Sequence, residues 1–89
     1  MDFKIKNGVL EAGGYSGPGG DVVIPDDVVK LEKSALETNW GKKAIKSVTI
    51  PASVVEIESG FDGNTVIEKI SVDPNNPVFE VRNNRLVNK

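Results

Sequence analysis

Two segments of the chain are near-copies: residues 21–36 read DVVIPDDVVKLEKSAL and residues 47–61 read SVTIPASVVEIESGF. Each opens on a polar residue and a valine, reaches Ile-Pro, and continues through two valines, a charge and a branched aliphatic. Pro25 recurs as Pro51, 26 positions on, and the apolar pair Val48 and Ile50 recurs 22 positions on as Ile70 and Val72 in KISVDP. Spacing of roughly 20–29 residues is that of stacked repeat units, each a small supersecondary element that buries its apolar face only against its neighbours. Equivalent positions of successive units must then line up, so the repeat predicts rows of side chains that can be named in advance.

Within each rung the residues alternate as in a short strand. Val22 and Ile24, Val48 and Ile50, and Ile70 and Val72 fall on one face, with Val23, Thr49 and Ser71 on the other. Asp21, Ser47 and Lys69 form a second outward row beside Val23, Thr49 and Ser71. Pro25 and Pro51 remove a backbone donor and end the strand. Val28 and Leu31, then Val54 and Ile57, supply a second apolar segment in each unit. In register, Lys30 stands opposite Glu56 and Glu32 opposite Glu58; the latter is a like-charge contact, so Glu58→Lys is expected to be neutral or slightly stabilising at low salt.

The segment after each rung is ambiguous. EKSALET, residues 32–38, favours helix by propensity, with Ala35 and Leu36 inward, and helical periodicity runs from residue 26 to 38. The matching ESGFDGN, residues 58–64, carries Gly60 and Gly63, each worth about 1 kcal/mol against a helix interior. Equivalent segments should fold alike, which leaves at most short helical turns. At the two ends, FKIKNGVLEA places Asn7-Gly8 between alternating apolar segments, the strongest short hairpin signal, and VFEVRNNRLVNK places Asn83-Asn84 similarly. The terminal apolar faces of stacked units need covering, and these hairpins are the expected caps.

The order Val-x-Ile-Pro, Val-x-x-Ile, small residue-Phe and an apolar closing residue resembles the bacterial BspA-type leucine-rich repeat family. The second unit, SVTIPASVVEIESGFDGNTVIEKISV, carries the likeness best, with Phe61, Gly63, Ile67, Ile70 and Val72 at the family's apolar and glycine positions. DFKIKNGVLEAGGYSGPGGDVVIP is similar to the leader of such proteins, and ISVDPNNPVFEVRNNRLVNK to their strand-and-hairpin segment. Glu32 and Glu58 depart from the pattern, standing where the family has glycine; Ala35-Leu36 and Gly60-Phe61 replace its Ala-Phe pair. The resemblance implies a protein-interaction or adhesion scaffold and an inward Phe61. The expected fold is mainly β with short helical turns, an α/β leucine-rich-repeat-like solenoid with N-terminal and C-terminal β-hairpins as caps. One domain covers residues 1–89: a capping hairpin and Gly-rich connection at 1–20, a first repeat at 21–46, a second at 47–68, and a final strand and hairpin at 69–89.

Composition narrows function by exclusion. The chain has no cysteine and no histidine, so thiolate sites, the commonest neutral-pH general base and the commonest nitrogen ligand for zinc are all missing. A formal charge of −2, from 11 basic and 13 acidic residues of interspersed sign, makes no basic stripe for nucleic acid and no cationic amphipathic face for a bilayer. No stretch resembles a signal peptide or approaches a membrane span. As given, the chain reads as cytoplasmic, or as surface or secreted if the sequence is trimmed.

Two motifs hint at ligands and give way to simpler readings. GGYSGPGG, residues 13–20, lacks the spacing of a phosphate-binding loop and reads as a flexible connection. DPNNP, residues 73–77, has Pro77 where a calcium loop needs an oxygen side chain and reads as a proline-set turn. The expected chemistry is therefore no catalysis and no cofactor or metal, in a monomer that binds a protein partner weakly; the alternative is a structural cap or spacer in a longer repeat protein. The partner-binding candidates are Asp21, Val23, Ser47, Thr49, Lys69 and Ser71 on the strand face, with Trp40 of the NWGKK insertion, which reads equally as an exposed interface aromatic and as an anchor packed on its own domain.

Overall fold

The computed structural model describes residues 3–15, 20–36, 45–59 and 67–89. The chain is mainly β, with no helix among the described residues and no closed barrel. It opens with an antiparallel hairpin of β1 (Phe3–Lys6) and β2 (Val9–Tyr15). Asn7 and Gly8 both take positive φ, at 52° and 80°, the requirement of a type I′ turn. β2 then pairs in parallel with β4 (Lys30–Leu31), and β4 with β6 (Glu56–Ile57), giving a sheet of order β1-β2-β4-β6.

The second sheet consists of β3 (Gly20–Val23), β5 (Ile45–Ile50) and β7 (Lys69–Val72), all parallel. Its register joins Asp21, Ser47 and Lys69, then Val22, Val48 and Ile70, then Val23, Thr49 and Ser71, row by row as the repeat predicts. β5 begins at Ile45, ahead of the unit boundary at residue 47. Leu10 and Leu31 of the first sheet and Val22, Val48 and Ile50 of the second share one hydrophobic cluster with Ile24, Val28, Val54, Ala35 and Leu36. The prolines work as the sequence suggests: Val28 donates its N–H to Pro25 O and Val54 donates to Pro51 O, turning the chain between the sheets.

Three features depart from the sequence reading. Residues 33–36 form a turn rather than a helical one, with Ser34 at φ 63°. Helix propensity loses because Ser34 O and Ala35 O, which a helix would offer to its following turn, accept the N–H groups of Gly13 and Tyr15 and tie the segment to β2. Gly13, Gly14 and Tyr15 are likewise part of β2 and no flexible link, with Gly14 and Tyr15 buried. Phe61 and the rest of ESGFDGN from residue 60, with Trp40 and the NWGKK insertion, lie outside the described residues.

Gly14 is held by space. A Cβ there would sit 2.8 Å from Glu11 O, 2.9 Å from Leu10 Cδ1 and 3.1 Å from Lys4 O, two of them backbone atoms that cannot swing aside. Gly14→Ala is expected to lower stability by about 2 kcal/mol in urea unfolding, through overpacking. An unchanged midpoint would mean that the irregular register between Phe3 and Ile5 lets β1 and β2 move apart here without cost.

Candidate interaction surface

Alternation puts the inward residues of β5, Val48 and Ile50, in the core and turns Ser47 and Thr49 outward. The same holds for β3, where Val22 is buried and Asp21 and Val23 are exposed, Val23 to 64%. Ser47 Oγ donates a 2.7 Å hydrogen bond to Asp21 Oδ1, so neighbouring units are linked across the face by side chains as well as by the ladder. Six of the seven residues expected to bind a partner are thus brought together, in two adjacent rows of three: Asp21, Ser47, Lys69 and Val23, Thr49, Ser71.

The face carries two shallow, open depressions. A depression of about 540 Å³ is lined by Asp21, Ser47, Thr49, Lys69 and Ser71, with Lys46 and Glu68 completing its wall. Beside it, a second depression of about 390 Å³ runs past Val23, Thr49 and Ser71 to Asp26, Pro51 and Asp73. Lys46 and Glu68 are functional candidates that the sequence reading missed. The register shifts between Gly20 and Asp21, so Lys46 is an extra residue on β5 and faces outward together with Ser47. A glycine at the strand entry was the available signal for such a bulge. Among the described residues Lys46, Glu68 and Lys69 take part in no ion pair.

The outer strands are finished differently. Beside β7, the tip of the C-terminal hairpin, formed by β8 (Phe79–Arg82) and β9 (Arg85–Asn88), supplies Asn84. Asn84 Oδ1 accepts the Ile70 N–H at 3.3 Å and its Nδ2 donates to Glu68 O at 2.8 Å, imitating a further strand. The tip can present that side chain because Asn83 and Asn84 both adopt left-handed φ, at 51° and 61°. In DPNNP, Asp73 Oδ1 accepts the Asn75 N–H at 2.8 Å, so this carboxylate shapes a turn. Among the described residues no group of three or more potential metal ligands comes together. No helix among them is long and apolar enough to cross a membrane.

On the first sheet the register again follows the repeat, with Lys30 opposite Glu56 and Leu31 opposite Ile57. Lys30 Nζ lies 3.2 Å from Glu56 Oε2 and 3.8 Å from Glu58 Oε2. Hydrogen bonding and charge from Glu56 hold the Lys30 ammonium above its ordinary pKa. Glu58 is also engaged by backbone, since the Lys33 N–H donates to its Oε1 at 2.9 Å. The expectation that Glu58→Lys is neutral or stabilising is therefore reversed. The substitution removes the acceptor and sets a second ammonium beside Lys30, so stability should fall slightly, whereas Glu58→Gln keeps the acceptor and stays near the parent. A gain for the lysine variant in low-salt thermal unfolding would refute this.

The chain matches no protein-family model, no curated protein and no solved structure.

Proposed function

We propose that the chain is a leucine-rich-repeat-like solenoid module that binds a protein partner weakly through the outward face of β3, β5 and β7, without catalysis. The observation carrying this reading is the pair of in-register rows, Asp21, Ser47, Lys69 and Val23, Thr49, Ser71, mounted on a hydrogen-bonded sheet over the core. Small side chains of mixed polarity on a rigid, shallow face suit an extended or flat protein segment better than an enclosed small molecule. The interspersed charges of Asp21, Lys46, Glu68 and Lys69 do not favour a polyanion. A serine bound to a carboxylate, in a chain without histidine or cysteine, lacks the usual means of activating a nucleophile. Three strands about 4.8 Å apart make a strip roughly 10 Å wide, well below the ~800 Å² per partner of a standard interface, so affinity is low and gains from multivalency.

The edge device of Asn84 favours a second reading, a structural cap or spacer in which the C-terminal hairpin's task is to finish a stack. One experiment separates the two. Partners are selected from protein mixtures and titrated into isotope-labelled protein while backbone amide shifts are followed. Saturable shifts centred on Ser47, Thr49, Lys69 and Ser71, weakened by Lys69→Glu, support the binding module. Shifts centred on Tyr15 or Trp40 with the Thr49 and Ser71 row silent overturn it.

A further inference from the structure

The order of charges across the sheet has a symmetry that points to one partner. Asp21 on β3 and Lys69 on β7 lie at opposite ends of the same row, with the neutral Ser47 between them on β5. The next row has Val23 and Ser71 at its ends and Thr49 at its centre. We infer that this face is self-complementary, and that two copies of the chain pair through it about a two-fold axis running along β5. The inference rests on the reading of this face as a protein-binding surface and names its partner as a second copy.

A rotation about that axis exchanges β3 with β7 and leaves each row in place. Asp21 of each copy then faces Lys69 of the other, forming two ion pairs, while Ser47 meets Ser47 and Thr49 meets Thr49. The central residues are small hydroxyl side chains, which allow close approach. Exposed Val23 is covered by Ser71 of the second copy. Exposed Lys46, also on β5, meets Lys46 of the second copy near the axis, and Glu68 of each copy, which lines the same groove, offsets that charge. A two-fold axis along the ladder direction would instead set Asp21 against Val23 and match none of these charges. An interface that repeats one patch on both subunits requires such self-complementarity.

The small area limits strength, and the dissociation constant belongs on the order of 1 mM rather than 1 µM. The test is a charge swap on the full chain at two exposed positions, with no partner protein added. On dilution through the millimolar range, amide shifts of the parent should change at Asp21, Ser47, Thr49, Lys69 and Ser71, with diffusion speeding up accordingly. Asp21→Lys alone and Lys69→Asp alone each place like charges opposite one another, so both variants should stay monomeric at every concentration. An equimolar mixture of the two should regain association at least as strong as the parent's, and the double variant should do so by itself.

Folding of each variant is checked by an unchanged spectrum away from the face. Single variants that associate as well as the parent, or a mixture that does not associate, would overturn the proposal. So would dilution shifts confined to Val29 and Val55, the exposed valines just ahead of β4 and β6. If self-association fails while the partner titration still perturbs the Thr49 and Ser71 row, the second copy is rejected and the binding face stands; if both fail, both are rejected.

Discussion

Asn76→Ala should lower the stability of the chain by about 3 kcal/mol, a large share of what a domain of this size possesses. Asn76 is fully buried, the one buried polar residue among those described. Its Nδ2 donates to Pro51 O and to Val54 O, both at 2.9 Å, and its Oδ1 accepts the N–H groups of Val78 and Phe79, both at 2.8 Å. The side chain thus uses both donors and both acceptor sites, satisfying four backbone groups that alanine would leave unpaired. Asn76→Asp separates the two halves of this role. The carboxylate keeps the contact to Val78 and Phe79 but turns an oxygen toward the carbonyls of Pro51 and Val54. Burial and those dipoles raise the pKa of the introduced carboxyl in the folded state. The variant should therefore be least impaired below the unfolded carboxyl pKa of about 3.9, and grow less stable relative to the parent as pH rises above it. A urea midpoint for Asn76→Ala within a few tenths of a molar of the parent would show that solvent replaces the lost bonds.

Leu31→Ala is the second large effect, expected at about 3–4 kcal/mol. Leu31 is fully buried on β4, with Leu10 of β2 as its partner on one side and Ile57 of β6 on the other. Its removal opens a cavity between three rungs whose ladder hydrogen bonds resist collapse, and the cost of such a cavity rises with how little it can shrink. Val29→Ala, two residues earlier and exposed, should change stability by no more than about 0.5 kcal/mol. Thermal or urea unfolding of the pair checks both, and equal losses would mean that the inward and outward faces of this segment are misassigned.

The rows of β3, β5 and β7 were legible because strand alternation has period two and the repeat offers the same alternation three times. Val22, Val48 and Ile70 had to share a face, and Asp21, Ser47 and Lys69 had to share the other. Asn76 was not legible, although its position could have been aligned. Val28 donates to Pro25 O, Val54 to Pro51 O and Asn76 to Asp73 O, so the three occupy the same place in successive turns. The third turn breaks the apolar pattern, and an asparagine between prolines reads as loop chemistry until the carbonyls it must satisfy are located. Glu58 misled for a related reason. Side-chain rows predict which charges meet, while the Lys33 N–H that binds Glu58 is aimed by a turn containing a left-handed Ser34. Lys46 escaped because one extra residue on β5 shifts the outward pattern, and an insertion of one is invisible to a count of periods; Glu68 escaped because it stands just ahead of β7, outside the alternating residues.

The parallel ladders also govern the order in which the structure can assemble. Each joins residues far apart in sequence, as in the pairing of Asp21 with Ser47 or of Lys30 with Glu56, whereas both antiparallel hairpins close over two-residue turns. Hairpins of that kind form in about 1–10 µs, but a ladder rung gains nothing until a loop of some twenty-odd residues has been closed. High contact order of this sort slows folding toward the millisecond-to-second range. The N-terminal hairpin then offers β2 as a ready edge on which β4 and afterwards β6 can be laid, so growth from that end meets one loop closure at a time. Asn76 can reach Pro51 O and Val54 O only after the second turn is in place, which makes its four bonds a late event. Substitutions there should act mainly by hastening unfolding and leave the rate of folding almost untouched.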